Sequence, residues 1–202
     1  MKENQLSIDQ SQLQEQERLF IALALPESMK QAFGEKMERI KEQLPFKRWV
    51  HPMDMHVTLQ FLGDVPKERI RDIDAALRAR ASRISWPGLN VGVKGLGVFG
   101  RPERPSVLWA GIEADRTVLD GLYQAVVESM ITVGFEPEQR PYSPHLTLAR
   151  NYAGAMPFEQ ETLSIGEDVS STEWNWRADS ITLYKSNTRV KPSYEAIGVY
   201  PL

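Results

Sequence analysis

His56-Val57-Thr58-Leu59-Gln60-Phe61-Leu62-Gly63 and His145-Leu146-Thr147-Leu148-Ala149-Arg150 are two copies of one pattern, each with Thr two residues and Leu three residues after a His. The chain has only three His and, counted along the sequence, eight Thr in 202 residues. A given His therefore meets Thr at that offset by chance about 4% of the time, and two of the three do so together roughly 0.5% of the time. Both segments alternate apolar and polar residues, the period of a half-buried strand. On a strand, residues two apart face the same way, so His56 and Thr58 project together while Val57, Leu59 and Phe61 turn to the core. His145 and Thr147 project likewise over Leu146 and Leu148. The third histidine, His51, has no Thr partner, sits beside Pro52 and reads as a loop or structural residue.

Outward from these motifs the chain repeats itself. An apolar run, Leu19 to Leu25, reads as a strand closed by Pro26, and Met29 to Leu44 carries Met29, Phe33, Met37, Ile40 and Leu44 at helical spacing. A loop with Pro45, Trp49 and Pro52 leads to the first His. Later, Val107 to Ile112 reads as a strand and Val118 to Val133 as a helix, and a loop with Pro137 and Pro141 leads to the second His. The intervals from Leu19 to His56 and from Val107 to His145 differ by one residue. Each half then runs through a connector, helical at Pro66 to Ala81 and weakly so at Phe158 to Ile165, to a hairpin strand: Leu89 to Phe99 in the first and Ser180 to Lys185 in the second. A last strand, Tyr194 to Tyr200, is expected to pair back near Ile181 to Tyr184. This layout predicts an α+β fold, bilobal, with two pseudo-two-fold related lobes, each holding an antiparallel sheet and helices, and the motifs facing a central cleft. Residues 18–202 form the single domain and residues 1–17 a polar, Gln-rich N-terminal extension.

Composition narrows the chemistry. No Cys occurs, which removes disulfides, thiolate metal sites and thiol nucleophiles. The formal net charge is −3, so any phosphate must meet a local basic site rather than a molecule-wide cationic field. No apolar run approaches the roughly 20 residues of a membrane span, and residues 1–18 lack the apolar core of a secretory signal; a soluble, cytoplasmic protein is expected. Gly95-Leu96-Gly97-Val98-Phe99-Gly100 satisfies a dinucleotide fingerprint, but the Pro-rich Arg101 to Pro105 that follows cannot propagate the required helix. It reads as a glycine-relieved strand and turn.

Two imidazoles and two hydroxyls around one cleft suit phosphodiester cleavage. In-line displacement needs a base for the attacking oxygen, an acid for the leaving oxygen on the far side, and donors on the non-bridging oxygens. Arg150 is the best cationic candidate for that phosphate, although strict alternation from His145 turns it away from the cleft unless a bulge brings it round. Arg48, Arg101, Arg104, Arg140 and Lys185 are candidate rim charges, and Trp49 and Tyr142 are residues that either pack or stack a base. A metal site is the competing reading, with His56, His145 and Asp54 as ligands, but no further ligands cluster near them in sequence.

The paired motifs resemble those of the two-histidine (2H) phosphoesterases, specifically the RNA 2′,3′-cyclic phosphodiesterase or 2′-5′ RNA ligase (LigT-like) family. Arg18 to Leu23, Ser106 to Gly111 and Ile181 to Ser186 support the likeness, which covers about residues 18 to 202. The resemblance implies metal-independent hydrolysis of a 2′,3′-cyclic phosphate to a 2′-phosphomonoester, with no cofactor. His56 then looks like the proton donor to the departing 3′ oxygen and His145 like the proton acceptor that activates water, an order that comes from the family and not from the residues. Thr58, Thr147 and Arg150 would bind the phosphate. The expected partners are RNA with 2′,3′-cyclic phosphate ends or small cyclic nucleotides, with no membrane and no metal, and the chain is expected to be a monomer. Reversible 2′-5′ joining by the same site, and nucleotide binding without turnover, are the alternatives.

Overall fold

Alternation along the strands sorts their side chains onto two faces, and a computed structural model describing residues 15–83, 88–170 and 174–202 shows both. In β1 (Gln16–Ala24), Leu19, Ile21 and Leu23 face a core packed under helices, while Phe20 and Ala22 face the opposite side with Tyr184 and Tyr194. β1 begins three residues before the apolar run; the first 14 residues of the expected extension lie outside the described part. Pro26 then ends the strand, its fixed φ suited to the start of α1 (Glu27–Gln43). The expected stripe of α1 is buried: Met29, Phe33, Met37 and Ile40, followed by Leu44.

The chain continues through β2 (Phe46–Trp49), a 3-10 turn at Pro52–Asp54, β3 (His56–Pro66), a second 3-10 turn at Lys67–Arg69 and α2 (Ile70–Ala81). The second half holds β4 (Leu89–Arg101), β5 (Arg104–Ala114), α3 (Arg116–Thr132) and β6 (His145–Tyr152). Asp115 caps α3 by accepting from the backbone N–H groups of Thr117 and Val118. A 3-10 segment at Gln160–Ser170 occupies the weak helical connector, and β7 (Asn175–Ala178), β8 (Ser180–Ser186) and β9 (Tyr194–Pro201) complete the chain. Among the described residues no helix is long and apolar enough to cross a membrane.

The described strands form one antiparallel sheet in the order β7-β4-β5-β6-β3-β1-β8-β9, with β2 added on β6. The sheet has two similar arms, β6-β5-β4-β7 and β3-β1-β8-β9, joined edge to edge rather than standing as separate sheets. The halves also exchange strands. β4, from the first half of the sequence, pairs with β5 of the second, and β8 pairs back with β1. A short turn from Arg101 to Arg104 makes β4 and β5 a hairpin, and such a local connection is favoured over a return across α2 to β3. β9 pairs with β8 from Tyr200↔Ile181 to Tyr194↔Ser186, as expected from the sequence. α2 packs on α3 and β9, and α3 on β3, and the buried faces of the three helices share one core with Leu19, Ile21, Leu23, Val57 and Leu146 of the sheet.

The glycine-rich stretch is strand and turn. Gly95 adopts φ 63° where the β4–β5 register shifts, and Gly100 adopts φ 108° near the hairpin end. Gly97 lies opposite Trp109, and a Cβ there would sit 2.2 Å from Trp109 Cζ2. Gly97→Ala is therefore expected to destabilise the protein by about 1–3 kcal/mol, seen as a lower urea midpoint at unchanged m; an unchanged midpoint would contradict this packing.

Candidate active site

Each histidine is the first residue of its strand, His56 of β3 and His145 of β6. The arms meet through one registered pair, Val57↔Leu146. Antiparallel pairing at that point sets His56 beside Thr147 and Thr58 beside His145 across the junction. Each imidazole thus neighbours the hydroxyl of the other motif, and all four side chains line one cavity of about 680 Å³.

The rings are held alike. Nδ1 of His56 lies 2.7 Å from the carbonyl oxygen of Asp54, and Nδ1 of His145 lies 2.7 Å from that of Ser143. A carbonyl can only accept, so each Nδ1 carries a hydrogen and donates it, and Nε2 is the nitrogen left for chemistry. Aromatic side chains pack on both rings: Phe20 at 4.6 Å and Tyr194 edge-on at 5.2 Å from His56, and Phe99 edge-on at 5.0 Å from His145. Desolvation by this packing pushes the His56 pKa from 6.5 down to about 4, against the opposing bond to the Asp54 carbonyl; Lys30 and His145 lower it further. Burial also lowers His145, with Arg150 adding to the effect and the Ser143 carbonyl opposing it.

Two matched bulges correct the alternation expected from sequence. The β1–β3 register passes from Ala22↔Thr58 to Ile21↔Gln60 and skips Leu59; the β5–β6 register passes from Trp109↔Thr147 to Leu108↔Ala149 and skips Leu148. One unpaired residue inverts the facing of everything beyond it. Arg150 therefore lines the cavity with His145 and Thr147. Phe61, five residues after His56 as Arg150 is after His145, does not enter the core; it is 56% exposed and lines the same cavity.

The remaining candidates divide. Arg140 and Tyr142 line the cavity, and Tyr142 stacks flat on Tyr123 at 4.1 Å. Arg48, Arg101, Arg104, Lys185 and Trp49 are not among the lining residues. Lys185 pairs with Glu17, Arg104 donates to the Gly154 carbonyl, and the Trp49 indole donates to the Phe46 carbonyl. His51 caps the Pro52–Asp54 turn by accepting from the Met53 N–H. The Asp54 carboxylate accepts from the backbone N–H groups of Ser193 and Tyr194. Among the described residues no three His, Cys, Asp or Glu side chains gather as a metal-ligand group. Phe61, Phe99 and Tyr194 are cavity residues that motif reading passes over; only Phe61 carries a signal, the offset it shares with Arg150.

Comparison with known proteins meets this geometry. The family pattern described as LigT like Phosphoesterase matches residues 23–109 and 113–194. The chain belongs to this family. Both motif strands, β3 and β6, fall within the matched residues. An RNA 2′,3′-cyclic phosphodiesterase of Geobacillus stearothermophilus is 35% identical over 91% of the chain, which spans 56% of that longer protein. One of Bacillus subtilis is 31% identical over 91% of the chain and 95% of its own length. Escherichia coli LigT, crystallised with 3′-AMP, superposes with a TM-score of 0.70 at 26% identity, covering 93% of this chain and 99% of that one. The family expected from the paired motifs is the family found.

The lowered histidine pKa values set a pH dependence of stability. Between pH about 6.5 and about 4 the unfolded chain binds protons at His56 that the folded protein refuses. Unfolding free energy therefore falls as pH drops through that window, by about 1.4 kcal/mol per pH unit where the difference is complete. Urea titrations across this range should show the loss, and His56→Gln should flatten it; an equal slope in the variant would contradict the burial of a neutral imidazole.

Proposed function

We propose that the protein is a metal-independent phosphodiesterase that hydrolyses RNA or nucleoside 2′,3′-cyclic phosphates to 2′-phosphomonoesters. One observation carries this reading: two imidazoles from matched strands, each with Nδ1–H spent on a backbone carbonyl, open Nε2 to a single cavity. The names of the relatives and the nucleotide held by E. coli LigT support the choice of substrate.

In this scheme Nε2 of His145 takes a proton from water as the water oxygen attacks phosphorus. The bond from phosphorus to the 3′ oxygen breaks, and the imidazolium of His56 gives that oxygen its proton. The products are a 2′-phosphomonoester and a free 3′ hydroxyl; the proton on His145 and the proton missing from His56 are exchanged with solvent. Thr58 and Thr147 donate to the non-bridging oxygens, and the Arg150 guanidinium balances the charge that builds on them. Phe61 offers an apolar face beside the phosphate, suited to a nucleobase or ribose. The donor and acceptor order follows the family resemblance, because the two rings are held in the same way.

Burial works against the acid. A histidine lowered to about 4 is scarcely protonated in the free enzyme at neutral pH, so the negative phosphate must supply the field that stabilises the imidazolium. The descending limb of kcat/KM, which reports the free enzyme, is therefore expected below pH 6.5, and that of kcat, which reports the complex, at higher pH. Coincident limbs would contradict this proton inventory.

The deciding assay incubates the protein with adenosine 2′,3′-cyclic phosphate in excess chelator and identifies the phosphomonoester formed. Steady production of the 2′ isomer is expected. His56→Ala and His145→Ala should each lose about 10²- to 10⁴-fold in kcat. Thr58→Ala, Thr147→Ala and Arg150→Ala should lose about ten- to a hundredfold. Activity that disappears with the chelator, or that survives loss of either histidine, would end the assignment.

A further inference from the structure

The two histidines share a motif, a bulge and a carbonyl partner, yet they differ in what stands behind that carbonyl. Behind His145 it belongs to Ser143, an exposed residue followed by Pro144. Behind His56 it belongs to Asp54, whose side chain is 5% exposed. Both carboxylate oxygens accept from the Ser193 N–H at 2.8 Å, and one also accepts from the Tyr194 N–H at 3.0 Å. Lys30, itself buried, reaches in from α1 and donates to the Met53 carbonyl at 2.9 Å, in the same turn.

Such an arrangement has a purpose beyond burying a charge. The N–H groups belong to the first residue of β9 and the residue before it, some 140 positions along the chain. Tyr194, fixed by this bond, sets its ring edge-on against the His56 imidazole at 5.2 Å and 81°. The Asp54 side chain is not among the cavity-lining groups, so it does not meet substrate. It ties together the two things that touch His56 from behind and from the side: the turn carrying its Nδ1 acceptor and the strand carrying Tyr194.

We infer that Asp54 is the positioning residue of His56, its carboxylate clamping the Ser193–Tyr194 backbone to the Pro52–Asp54 turn and so holding this imidazole, and not His145, in one orientation and one tautomer. Its consequence for turnover rests on the phosphodiesterase reading; the clamp itself does not. A group that must release a proton along one line to a leaving oxygen gains most from fixed orientation. Charges and titrating groups facing His56 are Lys30 from α1, Asp54 from its own turn, Tyr184 from β8, Tyr194 from β9 and His145 from β6. Of these only Asp54 is a carboxylate, and its charge favours the imidazolium.

Histidine-ring NMR on the full chain tests this together with turnover of adenosine 2′,3′-cyclic phosphate. In the wild type, His56 should be a single Nδ1–H tautomer, and the Ser193 and Tyr194 amides should exchange far more slowly than those of the preceding loop. Asp54→Asn, which keeps the shape but replaces one acceptor oxygen by a donor, should give a tautomer mixture at His56 only. It should also move the His56 titration to lower pH and reduce kcat about ten- to a hundredfold with KM within about twofold. A variant that loses thermal stability while keeping the His56 tautomer, titration and kcat would reduce Asp54 to a structural residue and overturn the inference. Fast exchange at Ser193 and Tyr194 in the wild type would overturn it without any variant, should Asp54→Asn fail to fold. If the wild type shows no turnover, the phosphodiesterase reading fails, while the NMR measurements still decide the clamp.

Discussion

One strand pairing organises the site. β3 and β6 are the inner strands of the two arms, and they meet at Val57↔Leu146, the residues that follow the two histidines. Because both side chains at that pair are fully buried, the junction is tied into the core from below. Antiparallel geometry then places the residues on either side of the pair on the opposite face, crosswise, as His56 with Thr147 and Thr58 with His145. A slip of one residue would send the imidazoles into the core and the valine and leucine into the cavity, so burial of the apolar residues is what specifies the position of the polar ones.

The bulges extend this constraint. Leu59 and Leu148 each occupy an unpaired position at the same place after the histidine. Beyond them each strand turns one further residue into the cavity, Phe61 on one side and Arg150 on the other. The pocket is thus symmetric in its imidazoles and hydroxyls and asymmetric at its ends, apolar against cationic. A cyclic phosphate joined to a nucleoside has the same polarity. In the proposed reaction, and in a chain of net charge −3, this local guanidinium would be the means of meeting the phosphate.

Desolvation sets the second condition. Packing of Phe20, Tyr194 and Phe99 around the rings lowers both histidine pKa values, and Nδ1 of each lies on a backbone carbonyl, so each ring presents one defined nitrogen. In the proposed scheme the same packing would make protonation of His56 depend on the arriving phosphate. In the proposed reaction, substrate binding and arming of the acid are therefore one electrostatic event.

The sequence by itself determined the repeat, the strand and helix assignments with strong periodicity, the four polar groups of the motifs and the family. Those features rest on local spacing, which burial on one face of a strand or helix enforces. It did not determine the facing of Phe61 and Arg150, because a bulge is set by the neighbouring strand's register and leaves no mark on composition. β2 and β7 were equally hidden: each has four residues, β2 with two exposed charges, and each exists through its partner strand rather than its own pattern. The exchange of β4 and β8 between the arms, the edge-to-edge union of the arms into one sheet and the link from Asp54 to Ser193 and Tyr194 were decided only by tertiary structure. They join residues far apart in the chain, where the free energy of burying and pairing backbone groups, and not local preference, selects the partner.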